Sequence, residues 1–259
     1  MILGILQARV SSSRLPGKVL KPILGSPMLV RQIERLERAC LIDRLIVATS
    51  NDVNDNPIAE LCQELDIEVF RGKLDDVLDR FYQTAQPLKP ENIVRLTGDC
   101  PLADPYLIDE VIHFHLLGGF DYTSNSLEPT YPDGLDVEIF RFNCLNIAWN
   151  EANLPSQREH VTSFINRQPE RFKLGNYKND IDLSCLRWTV DEALDFELVT
   201  KIYEYLYPNK VNFTTQDILE LCSIYPELKT YNTCYKRNEG FEKSLLEDAI
   251  YCRQILNNN

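Results

Sequence analysis

Short apolar runs alternate with amphipathic stretches through the first hundred residues, and this alternation limits the fold more than any other feature. The runs MILGIL, RLIVATS, IEVF and NIVRLT have the length of buried strands. The stretches PMLVRQIERLERA, PIAELCQELD and DDVLDRFYQTA have apolar residues at helical spacing. Strands that alternate with helices build βαβ units with parallel pairing. We therefore predict an α/β fold with a doubly wound, mainly parallel sheet.

Each predicted strand is followed by a polar segment. These segments are QARVSSSRLPGK, TSNDVND, RGKLDD and TGDCPLADP. Ligands of doubly wound sheets bind beyond the carboxyl ends of the strands. We expect all four segments to share one rim of the sheet and to form the ligand site there.

The pattern loosens after residue 120. The loop DYTSNSLEPTYPDG precedes a predicted strand, LDVEIF, and PSQREHVTSFINRQ is predicted as a helix. RWTV is a second predicted strand, before a helix entered at DEAL, and FEKSLLEDAIYCRQIL is a helix of the tail. We predict a main domain over residues 1–230, with a smaller inserted region at about 120–140, and a helical tail over residues 231–259.

Composition excludes several classes of function. The net charge of -12 argues against nucleic acid and against an anionic membrane as the main partner. No apolar run approaches the ~20 residues of a membrane span, and the amino terminus lacks a basic region and a cleavage site. The eight cysteines include no CxxC pair that would indicate zinc. We expect a cytoplasmic protein.

The segment from Gln7 to Leu20 is serine-rich and basic, and it contains glycine. Backbone N–H groups and nearby cations, here Arg9, Arg14 and Lys18, together stabilise clustered phosphates. The segment is neither a P-loop nor a dinucleotide fingerprint. Its composition alone fits a phosphate cradle and a solvated surface loop about equally well.

The whole string QARVSSSRLPGKVLKPILGSPML resembles the signature of the CMP-sugar synthetase superfamily, which includes the acylneuraminate and Kdo enzymes. VFRGKLDDVLDRF, RLTGDCPLADP, YPDGLDVEIF, REHVT and LRWTVDEALDFELV are similar to blocks of its SpsF-type cytidylyltransferases. The resemblance extends to about Tyr207. It implies a nucleotide-diphospho-sugar transferase-like fold and an enzyme that transfers CMP from CTP to an acidic, nonulosonic-acid-like sugar. Pyrophosphate would be released, and the product would serve surface polysaccharide synthesis, as of a spore coat.

The resemblance also implies the nucleotide site. Lys18 and Arg14 would hold the β- and γ-phosphates, and the turn at Arg71 would contact the base. The predicted nucleotide-binding residues are Gln7, Ala8, Arg9, Ser13, Arg14, Gly17, Lys18, Arg71, Gly72, Gly98 and Asp99.

Two carboxylates are implied as ligands of a Mg²⁺ cofactor: Asp99 in TGDCP and Asp191 after RWTV. With Lys18 and Arg14 they form the predicted catalytic set. Asp is also a common helix N-cap, so a capping role for Asp191 stays open. Asp195, one turn later, is predicted to be solvated.

The acceptor site is assigned from the blocks DYTSN, GLDVEIF and REHVT. Its predicted residues are Tyr122, Asn125, Asp136, Glu138, Arg158, Glu159 and His160. Arginine is suited to bidentate recognition of a carboxylate, whereas His113 and His115 match no motif and are interpreted as structural.

Gln7 and the block RGKLDD depart from the sialic-acid and Kdo enzymes and leave the acceptor open. One alternative is a cytidylyltransferase acting on a phosphonate or a phosphorylated alcohol, and another is a non-catalytic CTP-binding subunit. A glycosyltransferase is disfavoured because GDC offers one carboxylate instead of a DxD motif. The resemblance also implies a homodimer, with the acceptor and dimer contacts assigned to the inserted region at about 120–140.

Overall fold

The computed structural model describes residues 1–237 and 239–258. Among these residues the strands are β1 (Ile2–Gln7), β2 (Pro22–Ile23), β3 (Ser26–Pro27), β4 (Arg44–Ser50), β5 (Val69–Gly72), β6 (Asn92–Thr97), β7 (Tyr122–Ser124), β8 (Glu138–Arg141) and β9 (Leu174–Asn176). β2 and β3 form a small antiparallel ladder. The others form one sheet in the order β5-β4-β1-β6-β8-β7-β9.

Helices cover both faces of this sheet. In the described part of the chain they are α1 (Met28–Leu36), α2 (Asn56–Glu64), α3 (Val77–Ala85), α4 (Pro105–Gly118), α5 (Phe142–Glu151), α6 (Pro155–Glu159), α7 (Ser163–Asn166), α8 (Ala193–Leu206), α9 (Thr215–Ile224) and α10 (Glu239–Asn258). Three short 3₁₀ turns lie at Lys18–Leu20, Val53–Asp55 and Pro226–Lys229. None of the helices within residues 1–237 and 239–258 combines the length and apolar character needed to cross a membrane.

The parallel half of the sheet confirms the predicted fold class. β1 pairs in parallel with β4 on one side and β6 on the other, and β5 adds to β4 in the same direction. β1 is apolar up to Gln7 because both of its faces are buried: Leu3 and Ile5 pack in one core cluster, and Leu6 packs in the other. The carboxyl ends of β1, β4, β5 and β6 therefore form one rim.

The region at 120–140 adds strands to this same sheet. β8 runs antiparallel to β6, so that Glu138, at the start of β8, lies opposite Arg95 near the end of β6. β7 pairs with β8 and then with β9, a strand that the sequence analysis did not predict. The acceptor blocks of the sequence are thereby brought to the rim of the parallel strands.

Two predicted elements are wrong. RWTV is an extended segment joined to Asp133 by a single bridge, because the Trp188 and Thr189 N–H groups both donate to the Asp133 carbonyl. The predicted helix PSQREHVTSFINRQ is broken between α6 and α7. Val161 has a positive φ of 57° at the break, which buries its side chain in the core and lets the Thr162 hydroxyl donate to Glu138.

Candidate active site

A cavity of about 600 Å³ opens at the carboxyl ends of β1 and β6. Its walls are the loop after β1, the end of α6 and the first part of α10. The lining residues are Gln7, Ala8, Arg9, Ser12, Ser13, Arg14, Lys18, Val19, Val77, Arg80, Arg95, Thr97, Gly98, Asp99, Glu159, His160, Asp191, Glu239, Gly240, Ser244 and Glu247. The predicted rim is therefore where the cavity lies.

The loop after β1 is fixed from beneath by a buried carboxylate that the sequence analysis missed. The Val10 N–H donates to Asp55 Oδ1 at 2.7 Å, and the Ser50 hydroxyl donates to the same carboxylate. Gly17 then turns the chain with a positive φ of 69°, and its N–H donates to the Val10 carbonyl. This turn places Lys18 at the start of a 3₁₀ turn, facing the cavity.

Lys18 brings the two predicted metal ligands together. Its Nζ donates to Asp191 Oδ1 at 2.9 Å and lies 3.5 Å from Asp99 Oδ2, and the side chain is only 7% exposed. Burial opposes the charge of the ammonium, but the neighbouring charges of Asp99 and Asp191 outweigh it and raise the pKa of Lys18. Burial also opposes ionisation of Asp99, and Lys18 nevertheless holds the pKa of that carboxyl below its usual value. Lys18 and Asp99 are thus charged at neutral pH.

Asp191 faces the cavity instead of capping α8. Its carboxylate contacts Arg14 at 2.8 Å as well as Lys18, and the Val190 N–H donates to the Asp99 carbonyl at 2.8 Å, which joins the two segments. The N–H groups of Asp191 and Glu192 donate instead to the Asp195 carboxylate. The capping alternative for Asp191 is therefore wrong.

Asp195 is also not solvated, so the prediction for it was wrong. It is completely buried and accepts two hydrogen bonds from Arg187, at 3.0 and 2.9 Å. Arg187 lies 3.4 Å from Asp191 as well. The helix start and the active-site carboxylate are held by the same guanidinium.

The strand ends form a close-packed wall of the cavity. The Gly98 N–H donates to the Gln7 carbonyl at 2.8 Å, and a Cβ at Gly98 would lie only 3.0 Å from that oxygen. Glycine thus permits the close approach of β1 and β6 beside Asp99. Eight of the predicted nucleotide-binding residues line the cavity: Gln7, Ala8, Arg9, Ser13, Arg14, Lys18, Gly98 and Asp99.

Arg71 and Gly72, in contrast, are not among the lining residues. The Arg71 guanidinium donates to the carbonyls of Ser50 and Asp52, both at 2.9 Å, and so ties β5 to the end of β4. A base contact by these two residues stays a prediction, and so does a phosphate contact by Gly17.

Arg80 of α3 lines the cavity and was missed. It is 2% exposed, and its Nε and Nη1 have no hydrogen-bond partner among the described residues. Burial, reinforced by the charge of Arg9, lowers its pKa to about 10. An unpaired buried N–H group costs free energy that an anionic ligand would recover. One signal in the sequence could have identified it: Arg80 lies in the block VFRGKLDDVLDRF, which is similar to the family, but the sequence analysis gave it no role.

Arg95 is the second missed cation. Its Nε donates to Gln7 Oε1 at 3.2 Å, and its Nη1 pairs with Glu138, which also accepts from Tyr122 and Thr162 at 2.6 Å. Arg95 itself lines the cavity, and Glu138 and Tyr122 support it from behind. The sequence analysis assigned Tyr122 and Glu138 to the acceptor site, and the structure places both in a buried network with Arg95.

Of the seven predicted acceptor residues, Glu159 and His160 line the cavity. The Asn125 amide donates to the Leu135 carbonyl, and Arg158 donates to both oxygens of Asp76 at 2.9 and 2.6 Å. Asp136 pairs with Arg237. Arg158 binds a carboxylate, as its chemistry suggested, but the carboxylate belongs to the protein. Contact of these side chains, or of Tyr122 and Glu138, with an acceptor stays a prediction.

A family model described as cytidylyltransferase matches residues 3–226. The chain belongs to the cytidylyltransferase family. This cytidylyltransferase is an enzyme that uses CTP, and its matched span includes the loop after β1, Asp99 and Asp191.

Similar proteins support the assignment. The spore coat polysaccharide biosynthesis protein SpsF of Bacillus subtilis is 34% identical over 219 residues, 78% of this chain and 86% of its own. The uncharacterized protein MJ1063 of Methanocaldococcus jannaschii is 36% identical over 234 residues, 90% of this chain and 94% of its own. The structure of a cytidylyltransferase from Leptospira borgpetersenii matches with a TM-score of 0.85 and 30% identity, over 91% of this chain and 99% of that one.

Proposed function

We propose that this cytidylyltransferase transfers CMP from CTP to a small acidic sugar of the nonulosonic-acid type and releases pyrophosphate, for surface polysaccharide synthesis. The observation that carries the proposal is the convergence of Lys18, Asp99 and Asp191 at the cavity rim. Arg14 adjoins this group through Asp191, and Arg80, whose Nε and Nη1 find no hydrogen-bond partner among the described residues, lines the same cavity. The cavity thus offers anion-binding groups beside a pair of carboxylates.

The residues of the loop after β1 would position the triphosphate. Lys18 and Arg14 would bind the β- and γ-phosphates, with backbone N–H groups of the loop. The acceptor's anomeric hydroxyl oxygen would attack the α-phosphorus as the bond from that phosphorus to the bridging oxygen breaks. The bonding electrons leave with pyrophosphate, and the hydroxyl proton is released. Positioning and electrostatic stabilisation supply the catalysis in this scheme.

Asp99 and Asp191 fit a divalent cation. Both carboxylates already contact one cation, the Lys18 ammonium, and oxygen donors are the ligands that Mg²⁺ prefers. In the part of the chain that the structure describes, no group of three or more His, Cys, Asp or Glu side chains converges for a metal. Two carboxylates with substrate phosphates are a usual Mg²⁺ environment. When bound there, Mg²⁺ would offset the negative charge that develops on the leaving pyrophosphate.

The acidic acceptor is supported by the cations of the cavity. Arg9 and Arg95 line it beside the loop, and a guanidinium is suited to bind the carboxylate of an acidic sugar. A cytoplasmic location and a homodimer with contacts from residues 120–140 complete the proposal. Light scattering at micromolar concentration tests the dimer, which a monomer mass would contradict.

The function is tested by an acceptor screen. The chain is incubated with CTP, Mg²⁺ and, in separate reactions, 3-deoxy-manno-octulosonate, N-acetylneuraminate, an alditol phosphate and a phosphonate. Pyrophosphate release and product mass are measured. We expect a CMP adduct of a sugar acid. A cytidylylated phosphate or phosphonate would replace the acceptor proposed here, and CTP binding without pyrophosphate release from any acceptor would favour the non-catalytic subunit.

Nucleotide choice is tested by calorimetry. We expect CTP to bind more tightly than UTP and ATP. Equal affinities for the three nucleotides would contradict a cytidine-specific site.

A further inference from the structure

The segment beyond the family model crosses the active-site cavity. The model match ends at residue 226, whereas α10 begins at Glu239. Just before the helix, the Arg187 guanidinium donates to the Lys236 carbonyl at 3.4 Å, and Arg237 pairs with Asp136. The helix therefore starts beside the residues that hold Asp191.

The other end of this crossing is fixed on α6. Asp248 is 8% exposed and accepts from the Ser156 N–H at 2.9 Å and from the Ser156 hydroxyl, 92 positions earlier in the chain. The Ser244 hydroxyl lies 2.9 Å from His160 Nε2 and donates to Glu159 at 3.1 Å. These buried, directional contacts define one docked position of the helix.

One face of the docked helix forms part of the cavity wall. Gly240, Ser244 and Glu247 line the cavity, at the spacing of residues that share a helix face. Leu246 and Ile250 lie on the exposed side. The wall that α10 provides is acidic, since Glu239 and Glu247 both line the cavity, as does Glu159 of α6.

We propose that α10 is the acceptor-side wall of the active site and that Glu247 selects the acceptor by accepting hydrogen bonds from its hydroxyl groups. Carboxylates disfavour the triphosphate at this end and suit the hydroxyl donors of a polyhydroxylated chain, whereas Arg9 and Arg95 of the same cavity would bind the acceptor's own carboxylate. Ser244 is a positioning residue, because it orients Glu159 and His160. The inference rests on the proposed function, and it adds a determinant from outside the family domain.

The first test changes the selecting carboxylate in the full chain. With the acceptor found in the screen above, Glu247→Gln should raise the acceptor KM about tenfold, because a neutral amide oxygen replaces the charged carboxylate as the acceptor of the substrate's hydroxyl hydrogen bonds. The KM for CTP should stay within about twofold of its original value. Leu246→Ala, on the exposed side of the same helix, is the matched control and should change neither constant.

The second test releases the helix. Asp248→Ala removes the acceptor of both Ser156 hydrogen bonds, so the amides of residues 240–250 should exchange hydrogen faster. The acceptor kcat/KM should fall at least about tenfold, while calorimetry should give an unchanged Kd for CTP. Ser156→Ala, which keeps one of the two bonds, should have a smaller effect in the same direction.

The outcomes separate the two proposals. If the unmodified chain forms no CMP adduct with any sugar acid, the proposed function fails and the assignment of Glu247 fails with it. If the unmodified chain turns over and neither Glu247→Gln nor Asp248→Ala changes the acceptor constants, only the role of α10 is wrong. Faster hydrogen exchange of the α10 amides in Asp248→Ala, with unchanged acceptor kinetics, would overturn the role of α10 most directly.

Discussion

The two ends of the cavity are built in different ways. At the loop end, Lys18, Arg14, Asp99 and Asp191 form charge pairs, and all four lie within the span that the family model matches. At the far end, α6 meets α10 through serine, histidine and carboxylate side chains, and α10 lies outside that span. The comparison teaches that residues inside the matched span and residues outside it can build two walls of one cavity.

The largest expected effect is at the loop end. Asp99→Asn and Asp191→Asn should each lower turnover at least about a hundredfold, because a neutral amide cannot replace a carboxylate beside a hard cation. The double variant should be little worse than either single variant, since groups that act through one ion are not additive. Turnover is measured across a magnesium titration, with Asp182→Asn in an exposed loop as the control.

The fold should survive these substitutions because Asp195, and not Asp191, accepts the N–H groups at the start of α8. Circular dichroism checks this. An Asp191→Asn enzyme with the original turnover and the original magnesium dependence would remove Asp191 from the catalytic set.

The next effect separates the phosphates. Lys18→Ala should weaken CTP binding about fiftyfold and leave CMP binding nearly unchanged, because the ammonium is assigned to the β- and γ-phosphates. Calorimetry with both nucleotides measures the difference. Lys21→Ala is the matched control, since Lys21 is a lysine of the same segment whose ammonium packs over Phe196 instead. Equal losses for CTP and CMP would place Lys18 elsewhere in the nucleotide site.

The loop end could be predicted from the sequence because its parts follow strands. Once the apolar runs are recognised as parallel strands, the segments after β1 and β6 must meet at one rim, and Lys18 and Asp99 come together there. The position of Asp191 could not be predicted from strand order in this way. RWTV, which precedes it, is not a strand of the sheet but an extended segment that bridges to Asp133.

The far end could not be predicted in the same way. Asp248 contacts Ser156, 92 positions earlier in the chain, and the periodicity of neither segment predicts this contact. Arg80 lies on the buried face of an ordinary amphipathic helix, where an arginine has no local signal to distinguish ligand binding from a structural pair. Arg158 shows the opposite error, since its chemistry suggested a ligand and its partner is Asp76.

A substitution at Arg80 tests whether this buried arginine of the cavity lining binds ligand. Arg80→Met should weaken CTP binding about tenfold and should raise the free energy of unfolding by about 1 kcal/mol, because unpaired buried N–H groups are removed. Urea unfolding and calorimetry measure the two effects. Arg44→Met, which breaks an exposed pair with Glu68, should change stability by less than about 1 kcal/mol. A destabilised Arg80→Met with unaltered affinity would make Arg80 structural.

The smallest expected effect on activity is at a site remote from both ends. His115 of α4 bonds to Asn92, at the amino end of β6, and to Thr123 of β7, at 3.2 and 2.9 Å. It is 2% exposed, and burial lowers its pKa from 6.5 to about 4. His115→Gln should leave turnover and both substrate constants at pH 7 within about twofold, because the amino ends of the strands lie opposite the cavity.

The same substitution should change how stability depends on pH. Between pH 6.5 and 4 the unfolded chain holds a proton on this imidazole that the folded chain does not, so protonation favours unfolding. The contribution is present above pH 6.5 and is lost as the pH falls towards 4, by about 3 kcal/mol in total. Glutamine does not titrate, so the difference in unfolding free energy between the two chains should shrink on acidification in urea titrations at pH 4 to 7. Parallel curves would show that the pKa of His115 is the same in the folded and unfolded chains. A loss of turnover in His115→Gln at pH 7 would show that the opposite rim is coupled to the cavity.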